Sequence, residues 1–344
     1  MAWCWCTDMR MLVTGGTGFL GRHVVWRLNS SGHDVVFTGR NVQHAETVIA
    51  GATRADCETR FVMLEHGSVQ SHATVHEAAA GADAAVHCAA LSSPWGRPEA
   101  FEKANIDSTQ EIVDACRAQR VPRLVHISTP SLYFNFRDRI GIREDEPLPS
   151  PVNDYARTKG IAEQRVMQSP LDSVIALRPR AIIGPYDATL LPRLLRVARV
   201  SRLPLMRGGN ALIDLTYVDN VVDAVELALS ADLQRAVVNI SNGEPMPVRT
   251  LFAMLADAFG IELRVRRIPY PVVDAAATLL EWAASVRRDW EPPITRYSVG
   301  LLAWSQKLDL TRARDLLGYT PQVPLAEGIR QTAAWARQFE QARS

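Results

Sequence analysis

The stretch RMLVTGGTGFLGRHVVWRLNSSG, residues 10–32, holds a short apolar run, then a cluster of glycines, then an apolar pattern of a different period. Met11 to Val13 read as a buried strand. Leu20, Val24, Val25 and Leu28 recur every three to four residues, the spacing of one helix face, and Asn29 to Gly32 closes the helix. Gly15, Gly18 and Gly21 therefore stand in the turn of a strand–turn–helix unit, spaced G-x-x-G-x-x-G. Residues without a Cβ in such a turn let a phosphate approach the backbone at the helix N-terminus, where free N–H groups and the helix dipole favour it.

Working outward, HDVVFTGRN (33–41) reads as the second strand of a dinucleotide-binding unit. A carboxylate at its end would accept hydrogen bonds from an adenosine ribose and repel a 2′-phosphate. Gly39 and then Arg40 stand there instead, with Arg22 as a second basic group, so NADP(H) is expected ahead of NAD(H). Further apolar strands follow at DAAVHCAAL (83–91), RLVHIST (123–129) and VIALRPRAII (174–183), and the helix STQEIVDACRAQ precedes the second of these. Such alternation predicts an α/β fold with a parallel, doubly wound Rossmann-type sheet, which binds ligands outside the carboxyl ends of its strands.

The bulk numbers exclude more than they assign. Among 344 residues, 38 basic side chains against 37 acidic ones leave a net charge of +1, too little to draw nucleic acid or an anionic membrane by a global field. Five cysteines, an odd number in a chain of this size, suit a reducing cytoplasm. Residues 1–8, MAWCWCTD, read as a disordered leader, with Met9 or Met11 as the true start; Cys4 and Cys6 are too close for a zinc pair of ordinary spacing. The stretch VVDAAATLLEWAASV (272–286) would make a helix of about 22 Å and carries Asp274 and Glu281, too short and too polar to span a bilayer. Burial against the protein is the expected arrangement there, with a pocket cover or a membrane-surface helix as the other readings. His87 reads as a core histidine bonded to backbone, and His66, His72 and His76 as no metal site.

TGGTGFLG, DAAVHCAA, STPSLY and YARTK stand in order along this one α/β chain. Together they resemble the extended short-chain dehydrogenase/reductase family, and the likeness runs from about residue 10 to the end through LRPRAIIGP, LTYVDNVVDAVELAL and VNISNGEP. SSPWGRPEAFEKAN, HISTPSLYF, LLPRLL and PPITRYSVGLLAWSQKLDLTRA are most similar to the branch of 3β-hydroxysteroid dehydrogenases and bacterial reductases of 2-alkyl-3-keto acids. The resemblance implies a Rossmann domain over residues 9–180, rejoined near 213–241, and a smaller α+β substrate lobe from 181–212 and 242–344. It implies a homodimer paired through a face that includes the Tyr155 helix.

The same resemblance assigns the site. Tyr155 would be the acid or base of a hydride transfer. Lys159, one helical turn on, would stabilise the tyrosinate and bond the nicotinamide ribose, with Asn153 or Asp154 capping the helix. An unaided phenol, with a pKa of about 10, yields its proton too reluctantly. Thr129 aligns with the group that bonds the substrate oxygen, and Ser128 beside it keeps that assignment open by one residue. Gly15, Thr17, Gly18, Phe19, Leu20 and Gly21 of the turn, Arg40, Ala89, Tyr155 and Lys159 would bind the cofactor. No metal is expected.

The chemistry narrows further. Related dehydratases carry an Asp-Glu pair after the threonine, whereas Pro130 and Ser131 stand here and cannot move protons that way. Arg193, Arg196, Arg199 and Arg202 could clamp the diphosphate of a sugar nucleotide or form a solvated helix face, so a 4-epimerase stays open. Trp282, Trp290 and Trp304 in an Ala- and Leu-rich lobe lean toward a lipophilic small molecule: a steroid, a terpenoid or a long-chain β-keto acyl compound. A catalytically silent dinucleotide sensor is disfavoured, because such relatives typically lose the tyrosine or the lysine. The expected function is an NAD(P)-dependent oxidoreductase.

Overall fold

A computed structural model describes residues 9–64, 71–187, 191, 192, 195, 203–287 and 290–341. The expected leader, His66 and the arginines at 193, 196, 199 and 202 lie outside the described residues. Five strands follow in chain order: β1 (Arg10–Thr14), β2 (Asp34–Gly39), β3 (Thr59–Met63), β4 (Ala84–His87) and β5 (Arg123–Ile127). After β6 (Arg139–Ile142) comes β7 (Ser173–Pro179), then the short strands β8 (Ile182–Ile183), β9 (Leu203–Leu205), β10 (Leu212–Ile213) and β11 (Thr216–Tyr217), and then β12 (Arg235–Ile240). Seven of these form one sheet in the order β12-β7-β5-β4-β1-β2-β3, and every pairing in it is parallel. The order reverses between β1 and β4, the position where sheets of this kind open a crevice for ligands.

Alternation along the strands decides which helix covers which face. Val13, Val35 and Val125 pack with α1 (Phe19–Ser30), α2 (Val42–Gly51) and the helix Val218–Ser230. Their neighbours Leu12, Val36 and Leu124 point the other way, onto α3 (Ser71–Ala79), α5 (Ser108–Ala118) and α6 (Asp154–Met167). A short helix α4 (Pro98–Phe101) runs through a π-helical turn, Glu102–Asp107, into α5. Each fully buried Val or Leu contributes about 1.5–3 kcal/mol. The sequence had not marked β3, which is half-buried from Thr59 to Val62 and exposed at Met63.

A second sheet, β13-β10-β15-β6, joins β13 (Met246–Pro247), β10 and β15 (Gln306–Leu308) to β6 from the first half of the chain. Leu251, Phe252 and Leu255 of the helix Val248–Phe259 and Ile329 of the helix Leu325–Gln341 close its core. The helix Tyr270–Val286 buries Val273 and Ala277 against Val299 and Ala303 of the helix Arg296–Ala303. The expected burial holds for this one face only: on the opposite side of the helix Tyr270–Val286, Leu279 and Trp282 are exposed, while both carboxylates bond Arg296.

Candidate active site

The glycine turn is built by close approach. Gly15 has φ +70°, and a Cβ there would lie 2.8 Å from the backbone of Ala89, two residues beyond the end of β4. A Cβ on Gly21 would lie 2.2 Å from the Gly15 carbonyl oxygen, so only glycine lets α1 rest on the turn. Gly18 caps α1 without a side chain, and its N–H donates to the Gly15 carbonyl at 2.9 Å. No side chain caps α1 and no carboxylate stands in its first turn, so the N–H groups of Phe19, Leu20 and Gly21 have no side-chain acceptor there. This arrangement fits the pyrophosphate of a dinucleotide.

At the end of β2 the structure adds a steric term to the sequence argument. A Cβ on Gly39 would lie 2.2 Å from the Thr17 hydroxyl oxygen, so a carboxylate side chain at 39 would have to displace Thr17. Arg40 follows, exposed and without a hydrogen bond or ion pair among the described residues. Arg22 does not join it as expected. Its guanidinium is buried, donates to the carbonyls of Gly18 at 3.2 Å and Thr17 at 3.0 Å, and lies 4.4 Å from the Tyr186 ring centre. It braces the turn from within.

Helix α6 starts at Asn153, whose Oδ1 accepts the Ala156 N–H at 2.8 Å, so Asn153 and not Asp154 is the cap. Tyr155 is half-buried, and the side chains of Thr129 and Ser92 stand against its hydroxyl and favour the phenolate. Burial pushes its pKa up, outweighing the effect of those two side chains. The sequence predicted the opposite direction, through the ammonium of Lys159. That ammonium is fully buried and committed elsewhere: Nζ donates to the Ile127 carbonyl at 2.6 Å and lies 3.4 Å from His126 Nε2. Burial lowers Lys159 to about 8, while the charge of Glu163 raises it. His126, buried beneath the same ammonium, is held well below its usual range and is neutral.

The structure also separates Ser128 from Thr129. Ser128 turns into the protein and donates to Glu163 Oε2 at 2.5 Å. Thr129 faces Tyr155, donates to Ser131 Oγ at 2.9 Å and accepts the Ser131 N–H at 3.1 Å. Of the two, Thr129 is the one beside the phenol.

Several residues of this site escaped the sequence reading. Tyr297, from the helix Arg296–Ala303, brings its hydroxyl 2.5 Å from Ser131 Oγ and extends the hydroxyl chain Tyr155–Thr129–Ser131. Nothing local in the sequence marks it. Glu163 could have been found, since it continues the four-residue spacing of Tyr155 and Lys159. It forms a buried pair with Arg178, whose Nε and Nη2 donate at 2.8 and 2.5 Å, and Arg178 also reaches the Tyr133 hydroxyl. Asn105, in the π-helical turn, accepts the Leu91 N–H at 2.7 Å and donates to the Thr158 hydroxyl at 3.0 Å, tying the loop after β4 to α6.

The remaining candidates fall away from the site. His87 is buried, with its ring nitrogens 2.6 and 3.0 Å from the hydroxyls of Thr14 and Thr109 where backbone partners had been expected. His72 and His76 stack on each other, and no group of three or more potential metal ligands occurs among the described residues. Trp304 packs under Arg207, whereas Trp282 and Trp290 face outward.

Comparison with known proteins now adds to the geometry. The sequence model of the NAD dependent epimerase/dehydratase family matches residues 11–241. The chain belongs to that family. An uncharacterised family relative, YbjS of Escherichia coli K12, is 36% identical over 96% of this chain and 98% of its own. The 2-alkyl-3-oxoalkanoate reductase of Stenotrophomonas maltophilia K279a is 35% identical over 95% and 99%. Among solved structures, MoeE5 in complex with UDP-glucose and NAD superposes with a TM-score of 0.73 at 25% identity, covering 96% of this chain and 99% of MoeE5.

Proposed function

We propose that this protein is an NAD(P)-dependent oxidoreductase. It moves a hydride reversibly between a nicotinamide dinucleotide and a carbonyl or secondary alcohol of an apolar molecule. One observation carries the reading: the Tyr155 hydroxyl stands against Thr129 at the carboxyl edge of the sheet that also carries the glycine turn, one helical turn from a buried ammonium. The cofactor supplies the hydride chemistry when bound. Thr129 holds the substrate oxygen. Tyr155, kept protonated by burial, gives its proton to that oxygen as a carbonyl becomes an alcohol. Lys159, which donates to the Ile127 carbonyl here, is the cation this reading assigns to the phenolate left behind, and it would bond the nicotinamide ribose. Gly15, Thr17, Gly18, Phe19, Leu20, Gly21 and Ala89 cradle the dinucleotide.

NADP(H) is the preferred form in this reading, supported by Thr17 closing position 39 to a carboxylate and by the free guanidinium of Arg40. The likeness to a 2-alkyl-3-oxoalkanoate reductase supports a β-keto acyl substrate over a sugar. The same reading includes a cytoplasmic homodimer, with residues 9–180 and the return through β12 as the dinucleotide domain and the rest of the chain as the substrate lobe. The free thiols of Cys88 and Cys116 agree with a reducing compartment. The likeness to MoeE5 with UDP-glucose keeps a nucleotide-sugar 4-epimerase as the second reading.

Protein incubated with NADPH or NADH and a panel of β-keto acids, steroids and UDP-sugars is the test. Loss of reduced-nicotinamide absorbance with a keto compound is expected. Interconversion of UDP-sugars without net redox would favour the epimerase, and cofactor binding without turnover of any kind would favour the sensor. Arg40→Ala should weaken NADPH about tenfold and NADH little, and equal losses would overturn the cofactor preference.

A further inference from the structure

The helix Tyr270–Val286 wears its polarity inside out. Both carboxylates turn inward: Arg296 donates from Nε and Nη2 to Asp274 at 3.0 and 3.3 Å, and its backbone N–H donates to Glu281 Oε1 at 2.7 Å. The outward side shows Val272 (58% exposed), Leu279 (64%), Trp282 (66%) and Val286 (69%) along one helical stripe. Every exposed residue from Pro271 to Val286 is uncharged. Folded proteins seldom leave such a face to water, and a continuous apolar stripe marks a surface for association. Arginines stand at both ends of it. Arg266 and Arg267 are exposed on β14 (Val265–Arg267), which leads into the helix, and Arg287 is exposed just beyond its last turn.

We propose that this face docks the protein on an anionic lipid surface, with the stripe among the acyl chains and the flanking arginines on the phosphates. Leu and Trp on one side with arginines at the rim is the composition of a helix that lies in a membrane interface. A second copy of the chain fits less well. In a two-fold pairing through this helix, antiparallel helices bring Arg266 and Arg267 against the partner's Arg287, and parallel ones bring like ends together. Basic groups meet basic groups either way, and no exposed residue from Pro271 to Val286 is a carboxylate that could answer them. The contact is with a surface, since no helix among the described residues is long and apolar enough to cross a membrane. The helix Arg296–Ala303 connects this face to the site, through Arg296 on one side and Tyr297 on the other. The docking proposal stands whatever reaction that site performs.

Flotation of the full-length protein with vesicles tests it. The chain should float with vesicles of phosphatidylcholine containing phosphatidylglycerol, less with phosphatidylcholine alone, and less in high salt. The pair Leu279→Glu and Trp282→Glu should reduce binding at least about tenfold, as should Arg266→Glu, Arg267→Glu and Arg287→Glu together, with melting temperature and cofactor binding unchanged. Failure of the unsubstituted chain to float with either vesicle overturns the proposal. So does equal flotation of the Leu279/Trp282 variant, or a dimer in sedimentation that the same variant splits, which would assign the face to a second copy.

Discussion

Helix α6 and the helix Tyr270–Val286 both depart from the rule that apolar side chains go in and charged ones out, and they do so in opposite senses. Helix α6 carries Lys159 and Glu163 into the interior, each nearly inaccessible. The later helix leaves Leu279 and Trp282 in solvent and turns its two carboxylates inward. Burying a charge is costly unless the interior answers it with hydrogen bonds. Around α6 it does, through Ile127, Ser128 and Arg178. Exposing a leucine costs little, but a row of them invites a partner. In the proposals made above, one helix serves a reaction and the other a surface.

The hardest test of this contrast is Tyr155→Phe. Turnover should fall by about 10²–10⁴-fold while cofactor affinity, read by titration, stays within a few-fold. A variant that keeps its rate would remove the reason for burying Lys159 at all. Next comes Glu163→Gln, which leaves the Arg178 guanidinium without its buried partner and should cost about 3–5 kcal/mol in urea unfolding. A loss under about 1 kcal/mol would mean that water reaches the network.

Lys159 then gives a pH signature. Its ammonium is held at about 8 against an ordinary 10.5, so between these values the unfolded chain binds a proton that the native one has released. Its contribution to stability therefore rises with pH across that window. Activity moves the other way, because the ammonium is the useful form: kcat/KM for reduction should decline along an alkaline limb near pH 8. Glu163→Gln removes a charge that raises Lys159, so the limb should move to lower pH in that variant; an unmoved limb would detach Glu163 from the chemistry. The smallest effect belongs to the other helix. Leu279→Ser should change unfolding stability by less than about 0.5 kcal/mol, whereas a core truncation such as Leu12→Ala should cost about 2–5 kcal/mol. A large loss at Leu279 would show that something already covers the stripe.

Much of the site was legible because its parts are local. Gly15 to Gly21 declare a turn, since only glycine tolerates a positive φ at 15 and the 2.2 Å approach at 21. Tyr155 and Lys159 declare themselves by a four-residue spacing. The strands β1, β2, β4, β5 and β7 stood out as apolar runs, while β9 to β11 are too short to leave a period and β6, RIGI, is broken by an arginine and a glycine.

Other features were decided only when the chain folded back on itself. The hydroxyl of Tyr297 reaches Ser131 from a helix 166 residues further along the chain. Ser128 and Thr129 are adjacent in sequence, and the pleat alone sends one to Glu163 and the other to Tyr155. Arg22 and Arg40 are the same residue type on the same unit, yet one is buried against backbone carbonyls and the other is left free. Periodicity and spacing report what a segment can do within a few turns of itself. Burial, the direction of a pKa shift, and which face of a helix meets water depend on contacts between segments far apart in the chain. That is why the Rossmann sheet and the Tyr155–Lys159 pair could be read from the residues in order, and why the raised phenol and the outward Trp282 could not.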